Sequence, residues 1–457
     1  MKSLLTLAAV ALSAAVLSAA PKPPAGFVAL FNGKDLTGWE GRGKTVDARK
    51  ISAMSGTERA EFIKKSTATM TAIDAKTGKP NWYVEGDELV NGGFGDYAST
   101  IKDYGNFELL IEYKTVPGAD SGIYLRGVPQ VQIWDINQKD DAKRPDRRPR
   151  LGSGGLFNNT PGSPGRDPLT VADKPFGQWN TVRIVMAGSR VSVWMNKKLV
   201  VDHAVMQNYY DVKLPEAQRR PAPARGPIQL QTHGGEIRWR NIFLREIGVD
   251  ESNKLLASHG NAGFKPIFNG KNLDGWAGTL ESVEVKNGTI VWKAGKGGVP
   301  YWNKELGDFK ARMLFKLPPG GNNGLAIRYS GTGNAAYDAM TELQIIDENY
   351  NTAKKLAPGK QLDDRQYHGS AYGMVAAARG YQHPVGQWNF QETTVKGSQI
   401  TVELNGTIIL DTDVNKVDLA KVMQGKAHPG KDRKRGFFGF AGHSDPVEFK
   451  DLSIKEL

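Results

Sequence analysis

One nine-residue string occurs twice with two changes. Phe31-Asn32-Gly33-Lys34-Asp35-Leu36-Thr37-Gly38-Trp39 returns as Phe268-Asn269-Gly270-Lys271-Asn272-Leu273-Asp274-Gly275-Trp276, and further pairs follow in the same order. Gly105-Asn106-Phe107-Glu108 pairs with Gly307-Asp308-Phe309-Lys310, and Ser121-Gly122-Ile123-Tyr124-Leu125-Arg126 with Asn323-Gly324-Leu325-Ala326-Ile327-Arg328. Val131-Gln132-Ile133-Trp134-Asp135 pairs with Leu343-Gln344-Ile345-Ile346-Asp347, and Gly177-Gln178-Trp179-Asn180 recurs unchanged at Gly386–Asn389. A period of roughly 200 residues is that of duplicated domains, since solenoid repeats run at about 20–50. The copies are assigned to residues 21–247 and 263–457. The polar stretch 248–262, which has little periodicity, is the linker.

Within each copy the pattern is that of strands. Phe107, Leu109, Ile111 and Tyr113 alternate with Glu108, Leu110, Glu112 and Lys114, and period two puts one set inward. Asn405-Gly406 between two β-branched runs is a two-residue hairpin signal, because both residues tolerate the positive φ of a type I′ turn. Many short strands with Gly-rich turns predict an all-β sandwich in each copy. The run near 56–73 reads as a short inserted helix that the second copy lacks.

Met1-Lys2-Ser3, the apolar run Leu4–Leu17 and Ser18-Ala19-Ala20 have the three regions of a secretory signal, so residues 1–20 are expected to be removed on export. The run is shorter than the ~20 residues that span a bilayer, and no later segment approaches that length, so no transmembrane segment is expected after cleavage. The protein is therefore expected to be secreted or periplasmic. The chain has no cysteine, which excludes a lipobox anchor, disulfides, thiolate metal sites and a Cys nucleophile. Its formal charge of +12 includes basic clusters at 143–148, 219–220 and 431–435. All lie in loop-like sequence, and in an exported protein they read as solvated loops or contacts with acidic glycans, not as a nucleic-acid footprint.

Strand parity says which residues share a surface. With Ile123 and Leu125 inward, Tyr124 and Arg126 face out; with Val131 and Ile133 inward, Gln130, Gln132 and Trp134 do too. The second copy presents Ala326, Arg328, Glu342 and Gln344. Late in each copy comes a histidine, His233 in Gln-Thr-His-Gly-Gly and His443 in Ala-Gly-His-Ser-Asp, and Gln229, Gln231 and His233 share a strand face. Guanidinium, amides, an indole and an imidazole on one outer face suit a sugar: forked donors bond vicinal hydroxyls and the indole stacks on a pyranose ring. No metal-binding, phosphate-loop or nucleophile-elbow spacing appears, and scattered His, Glu and Asp leave a divalent ion open.

The ordered strings together resemble the 3-keto-disaccharide hydrolase family, formerly a domain of unknown function, over nearly the whole mature chain. The resemblance implies concanavalin A-like, glucanase- or lectin-type jelly rolls. It also implies 3-keto-glucoside 1,2-lyase and 3-keto-2-hydroxy-glucal hydratase activity on an oligosaccharide or glycoside oxidised at C3. Such chemistry needs a base near neutrality and a partner for an enolate oxygen. His233 or His443 is the expected base and Arg126 or Arg328 the expected stabiliser, with Glu342 in the catalytic set. Asp135, Glu342 and Asp347 would hold a divalent ion or orient the histidine. Gln344, Asp347, His368, Tyr372, Tyr124, Gln132, Trp134 and Asp135 are the expected substrate contacts. The second copy, with Glu342 and His368, reads as the stronger catalyst, although the first keeps the fuller strings. A non-catalytic glycan-binding jelly roll is the alternative, and the Glu-X-Asp-X-X-Glu spacing of related glucanases is missing from both copies.

Overall fold

The computed structural model describes residues 22–457 other than 141, 216 and 217; the expected signal peptide lies outside the described residues. Each copy is a two-sheet sandwich. In the first, the larger sheet has eight antiparallel strands, ordered Lys198–Val205, Arg190–Met195, Asn180–Ala187, Phe107–Thr115, Ile237–Glu246, Glu88–Asn91 and Trp82–Glu85, with Val28–Ala29 added against Ile237–Glu246. The smaller has five: Trp39–Gly41, Ala98–Thr100, Gln229–Leu230, Ser121–Leu125 and Val128–Ile133. The second copy repeats both sheets, its smaller one running Trp276–Gly278, Pro300–Leu306, Gly436–Phe440, Asn322–Tyr329 and Thr341–Ile346. These are the concanavalin A-like jelly-roll sandwiches expected from the sequence.

The alternating pattern makes the core. Phe107, Leu109, Ile111 and Tyr113 of the larger sheet meet Ile123, Leu125, Val131, Ile133 and Leu230 of the smaller one, and Phe309, Met313, Phe315, Leu325, Ile327, Leu343 and Ile345 do the same in the second copy. The repeated nonapeptide is a strand-closing turn. In both copies its last residue is buried, and the indole N–H donates to a backbone carbonyl at 2.8 Å, Trp39 to Leu30 and Trp276 to Ile267.

Helix Gly56–Thr71 starts at a capping box between Ser55 and Glu58 and lies on strand Trp39–Gly41. Gly41 allows that approach, because a Cβ there would come 2.4 Å from the Ser66 backbone. The connecting loop brings Lys44 and Thr45 to the outer face of the five-stranded sheet.

The stretch 248–262 is not a plain linker: it carries helix Val249–Ser258, with Asp250 and Glu251 in its first turn, where acidic side chains favour a helix. Its Leu256 packs with Ala187 of the first domain and Phe390 of the second. Its polar sequence hid this helix because only one narrow face is buried. Beside it the Asn405-Gly406 turn, at φ +49° and +82°, docks onto the first domain: Ser189 N–H donates to Gly406 O at 3.0 Å, and Arg190 pairs with Glu403 through two nitrogens.

Candidate functional site

The outer face of the first domain's five-stranded sheet holds a polar cavity of about 160 Å³, roughly one sugar ring in size. Its floor is the expected parity set, Tyr124, Gln130, Gln132 and Gln231, with Tyr97 beside them; its rim includes Asp120, His233, Trp134, Asn158, Arg144, Arg147 and Tyr209. Strand pairing explains the convergence. Tyr124 lies opposite both Gln130 and Gln229, and Gly122 lies opposite Gln132, so side chains from three strands meet over a glycine.

Asp120 organises the site. Its Oδ2 stands 3.2 Å from His233 Nδ1 and accepts from Arg147 Nη2 at 2.8 Å, while Oδ1 accepts from Gln132 Nε2 at 2.8 Å. The hydrogen bond to this nearly buried carboxylate raises the imidazole above its ordinary pKa, against partial desolvation. His233 itself is half exposed, so its other ring nitrogen remains accessible. Gln130 donates to Gln132, Gln231 donates to Tyr97 Oη at 3.3 Å, and Tyr97 and Tyr124 pack at 5.3 Å between centroids. Burial raises the Tyr124 phenol far above its usual range, which keeps it protonated as a donor. The buried carbonyl oxygens of Gln130 and Gln231 have no partner among the described residues, so acceptors stand ready in the pocket.

Trp134 borders the site but is not an open stacking platform: it is 8% exposed, with the Arg147 guanidinium 4.8 Å over its ring and Phe157 edge-on at 5.0 Å. The indole positions Arg147.

Several expected site residues lie elsewhere. Arg126 and Arg328 do not reach the outer face. Arg126 just after Ser121–Leu125 and Arg328 inside Asn322–Tyr329 both stand at positive φ, +55° and +48°, which breaks the period-two parity and swings the side chain into the protein. Arg126 is 1% exposed and bonds the carbonyls of Gly105, Pro223 and Gly188; Arg328, equally buried, bonds those of Gly307, Gly397 and Arg433 and the Asp308 carboxylate. Both are clasps that tie loops together.

Asp135 and Asp347 are turn staples, with matched bonds from the N–H of Gly118 and Asn137 in one copy and of Gly320 and Asn349 in the other, all at 2.8–2.9 Å. His368 is interior, stacked on Phe315 at 4.9 Å, and burial pushes it down to about 3, so it is neutral. Tyr372 is half-buried and accepts from Gln366 Nε2 at 3.0 Å. For the two aspartates the cause is hydrogen-bond saturation by nearby backbone, which strand parity does not reveal.

The matching face of the second domain is lined differently. Ala326 pairs with Gly439 and Glu342 where Tyr124 pairs with Gln229 and Gln130, so Tyr124 and Gln229 are replaced by small residues there. Ala441 stands where Gln231 does, and Ala326, Tyr329, Ala335, Ala339 and Ala441 pack as an apolar cluster against Val299, Tyr301 and Phe437. Glu342 is 4% exposed, and burial pushes it up to about 8. Gln344 keeps its bond, 2.7 Å from Nε2 to Asn322 Oδ1, but the acceptor is an amide and not a carboxylate. His443 is exposed beyond strand Gly436–Phe440.

Among the described residues no three His, Asp or Glu side chains gather as a metal-holding group. Asp135, Glu342 and Asp347 are respectively stapled, isolated by burial and stapled, so this donor set does not fit a divalent ion. Sequence reasoning missed Asp120, Arg147, Tyr97, Asn158 and Tyr209. Asp120 was discoverable as an unlike pair, Asp against Asn322, beside otherwise like strings.

The chain is two concanavalin A-like jelly-roll sandwiches, one of them opening a sugar-sized polar cavity on its five-stranded sheet. The chain belongs to the family of the 3-keto-alpha-glucoside-1,2-lyase-like domain, whose profile matches residues 26–245 and again 263–455. It is similar to a 3-keto-disaccharide hydrolase of Bacteroides thetaiotaomicron, 26% identical over 259 residues, covering 46% of this chain and 87% of that protein. Among solved structures it is similar to two Parabacteroides distasonis proteins provisionally assigned as glycosyl hydrolases. One is 24% identical, covering 43% of this chain and 94% of its own, with a TM-score of 0.35; the other is 20% identical, covering 49% and 85%, at 0.34.

Proposed function

We propose that the first domain cleaves 3-keto-glycosides by elimination and hydration, and that the second domain is a non-catalytic copy that supports it. The carrying observation is the His233–Asp120 pair on the rim of a polar, sugar-sized cavity. A ketone at C3 acidifies C2–H. The neutral Nε2 of His233 removes that proton while Asp120 holds the opposite nitrogen and stabilises the imidazolium. The electron pair moves onto the C3 oxygen, where Arg147 and the Tyr124 hydroxyl are the available donors. As the enolate collapses, the C1–O bond breaks and the aglycone leaves as an alcohol with one proton. Water then adds hydroxyl to C1 and hydrogen to C2, giving net hydrolysis.

Support for the second domain's role comes from its apolar packing over the matching face and from Tyr381, whose hydroxyl bonds Pro221 O and Ala222 O at 3.4 and 3.1 Å. Those carbonyls follow the segment that carries Tyr209 to the first pocket. Export is part of the proposal, resting on residues 1–20.

The test is incubation with a 3-keto-disaccharide, following aglycone release and, in D₂O, deuterium at C2 of the product. Release with C2 labelling is expected; release with no C2 exchange would replace elimination by direct displacement, and no release at all would leave a binding protein.

A further inference from the structure

The strap Asp135–Leu151 holds four arginines, and three of them are already matched by carboxylates. Arg148 pairs with Asp167, Arg150 Nε with Asp140 at 2.9 Å, and Arg147 with Asp120. Arg144 is the exception. It lines the cavity, is exposed, and has no carboxylate partner among the described residues. Lys44, also exposed and next in sequence to Thr45 of the cavity lining, is close enough for its field to act on the His233 imidazole. Asp120 is the one carboxylate among the residues lining the cavity, and His233 and Arg147 both draw on its charge.

From this we infer that the pocket selects glycosides whose leaving residue carries an anionic group, a carboxylate or a sulfate. The inference rests on the proposed reading of the first-domain pocket. The cavity has room for one ring, so the oxidised sugar fills it and the next residue lies at the rim, beside Arg144 and in the field of Lys44. A neutral leaving residue gives those cations nothing to neutralise. An anion there brings opposite charges together at a partly desolvated edge, where the interaction is stronger than in bulk water and still sensitive to salt. Arg144 adds a planar fork that matches both carboxylate and sulfate oxygens.

The experiment compares three 3-keto-glycosides that differ only in the leaving residue: glucose, glucuronate and glucose 6-sulfate. At low ionic strength kcat/KM for at least one acidic substrate is expected about 10-fold above the neutral one, falling towards parity in ~0.5 M salt. Arg144→Gln is expected to bring the ratio within about 2-fold of one, through KM and not kcat. Whichever acidic substrate leads identifies the group. Equal kcat/KM for all three substrates in the parent protein overturns the inference while leaving the reaction standing. Cleavage of none overturns the reaction instead. Calorimetry with the unoxidised glucuronyl and glucosyl disaccharides then decides the preference, equal binding or none being the result against it.

Discussion

Asp120 and Asn322 occupy the same place in the two domains, each accepting a hydrogen bond from the matching glutamine, Gln132 at 2.8 Å and Gln344 at 2.7 Å, but only Asp120 carries a charge. That one difference turns a shared scaffold contact into a charged dyad. In the first domain the carboxylate also meets His233 and Arg147; in the second the amide lies beside a face filled by alanines and tyrosines.

The two histidines should therefore behave oppositely on substitution. His233→Ala is expected to lower kcat/KM by about 10² to 10⁴-fold, the usual contribution of a positioned general base. His443→Ala should leave turnover within about 2-fold, since the residue is exposed on the other domain. Steady-state kinetics on a 3-keto-disaccharide reads both, and a large loss in His443→Ala would move the active site to the second copy.

Acid dependence follows from the dyad. Asp120 raises the His233 pKa, so the neutral, proton-accepting form accumulates only at a pH above that of an ordinary imidazole, roughly 6.5. The rate should rise with pH through this raised value. Asp120→Asn removes the attraction and moves the acid limb to lower pH while reducing the plateau. The stability linkage has the opposite sense: the pair's contribution is fully present below the unfolded imidazole pKa and is lost as pH rises through the folded one. A pH–rate profile with an NMR titration of His233 measures both effects.

Arg126 belongs to stability. Arg126→Met strips donors from three backbone carbonyls and should cost on the order of 3 kcal/mol, seen as a lower denaturation midpoint. At temperatures where the variant stays folded, KM should hold. A midpoint unchanged while kcat/KM collapses would return Arg126 to the site.

Glu342 offers a stability test in the second domain. Burial pushes its carboxyl up to about 8, so it is protonated in the folded protein at neutral pH and ionised in the unfolded chain. Its contribution is fully present below the unfolded pKa and is lost as pH rises to the folded one. Glu342→Gln should therefore flatten the pH dependence and melt above the parent protein at pH 8, by on the order of a few kcal/mol. Thermal melts of both proteins at pH 5 and pH 8 check this.

Much of this was readable before any coordinates. The duplicated strings gave the tandem sandwich, and period-two alternation placed Tyr124, Gln130, Gln132 and Gln231 on one outer face, where the cavity lies. Parity failed at Arg126 and Arg328 because one residue at positive φ reverses the side a side chain leaves from. The expectation for His368 failed because a histidine in a Gly-rich loop reads the same whether it stacks on Phe315 in the interior or faces solvent.

The sequence by itself determined the repeat, the two sandwiches and the sheet face that opens outward, since these depend on local alternation and on strings that can be compared along the chain. Only the tertiary structure decided which charges meet. Asp120, Arg147 and His233 lie far apart in the chain, and their partnership depends on how strand ends and a long strap fold over one face, a long-range outcome that no local period encodes.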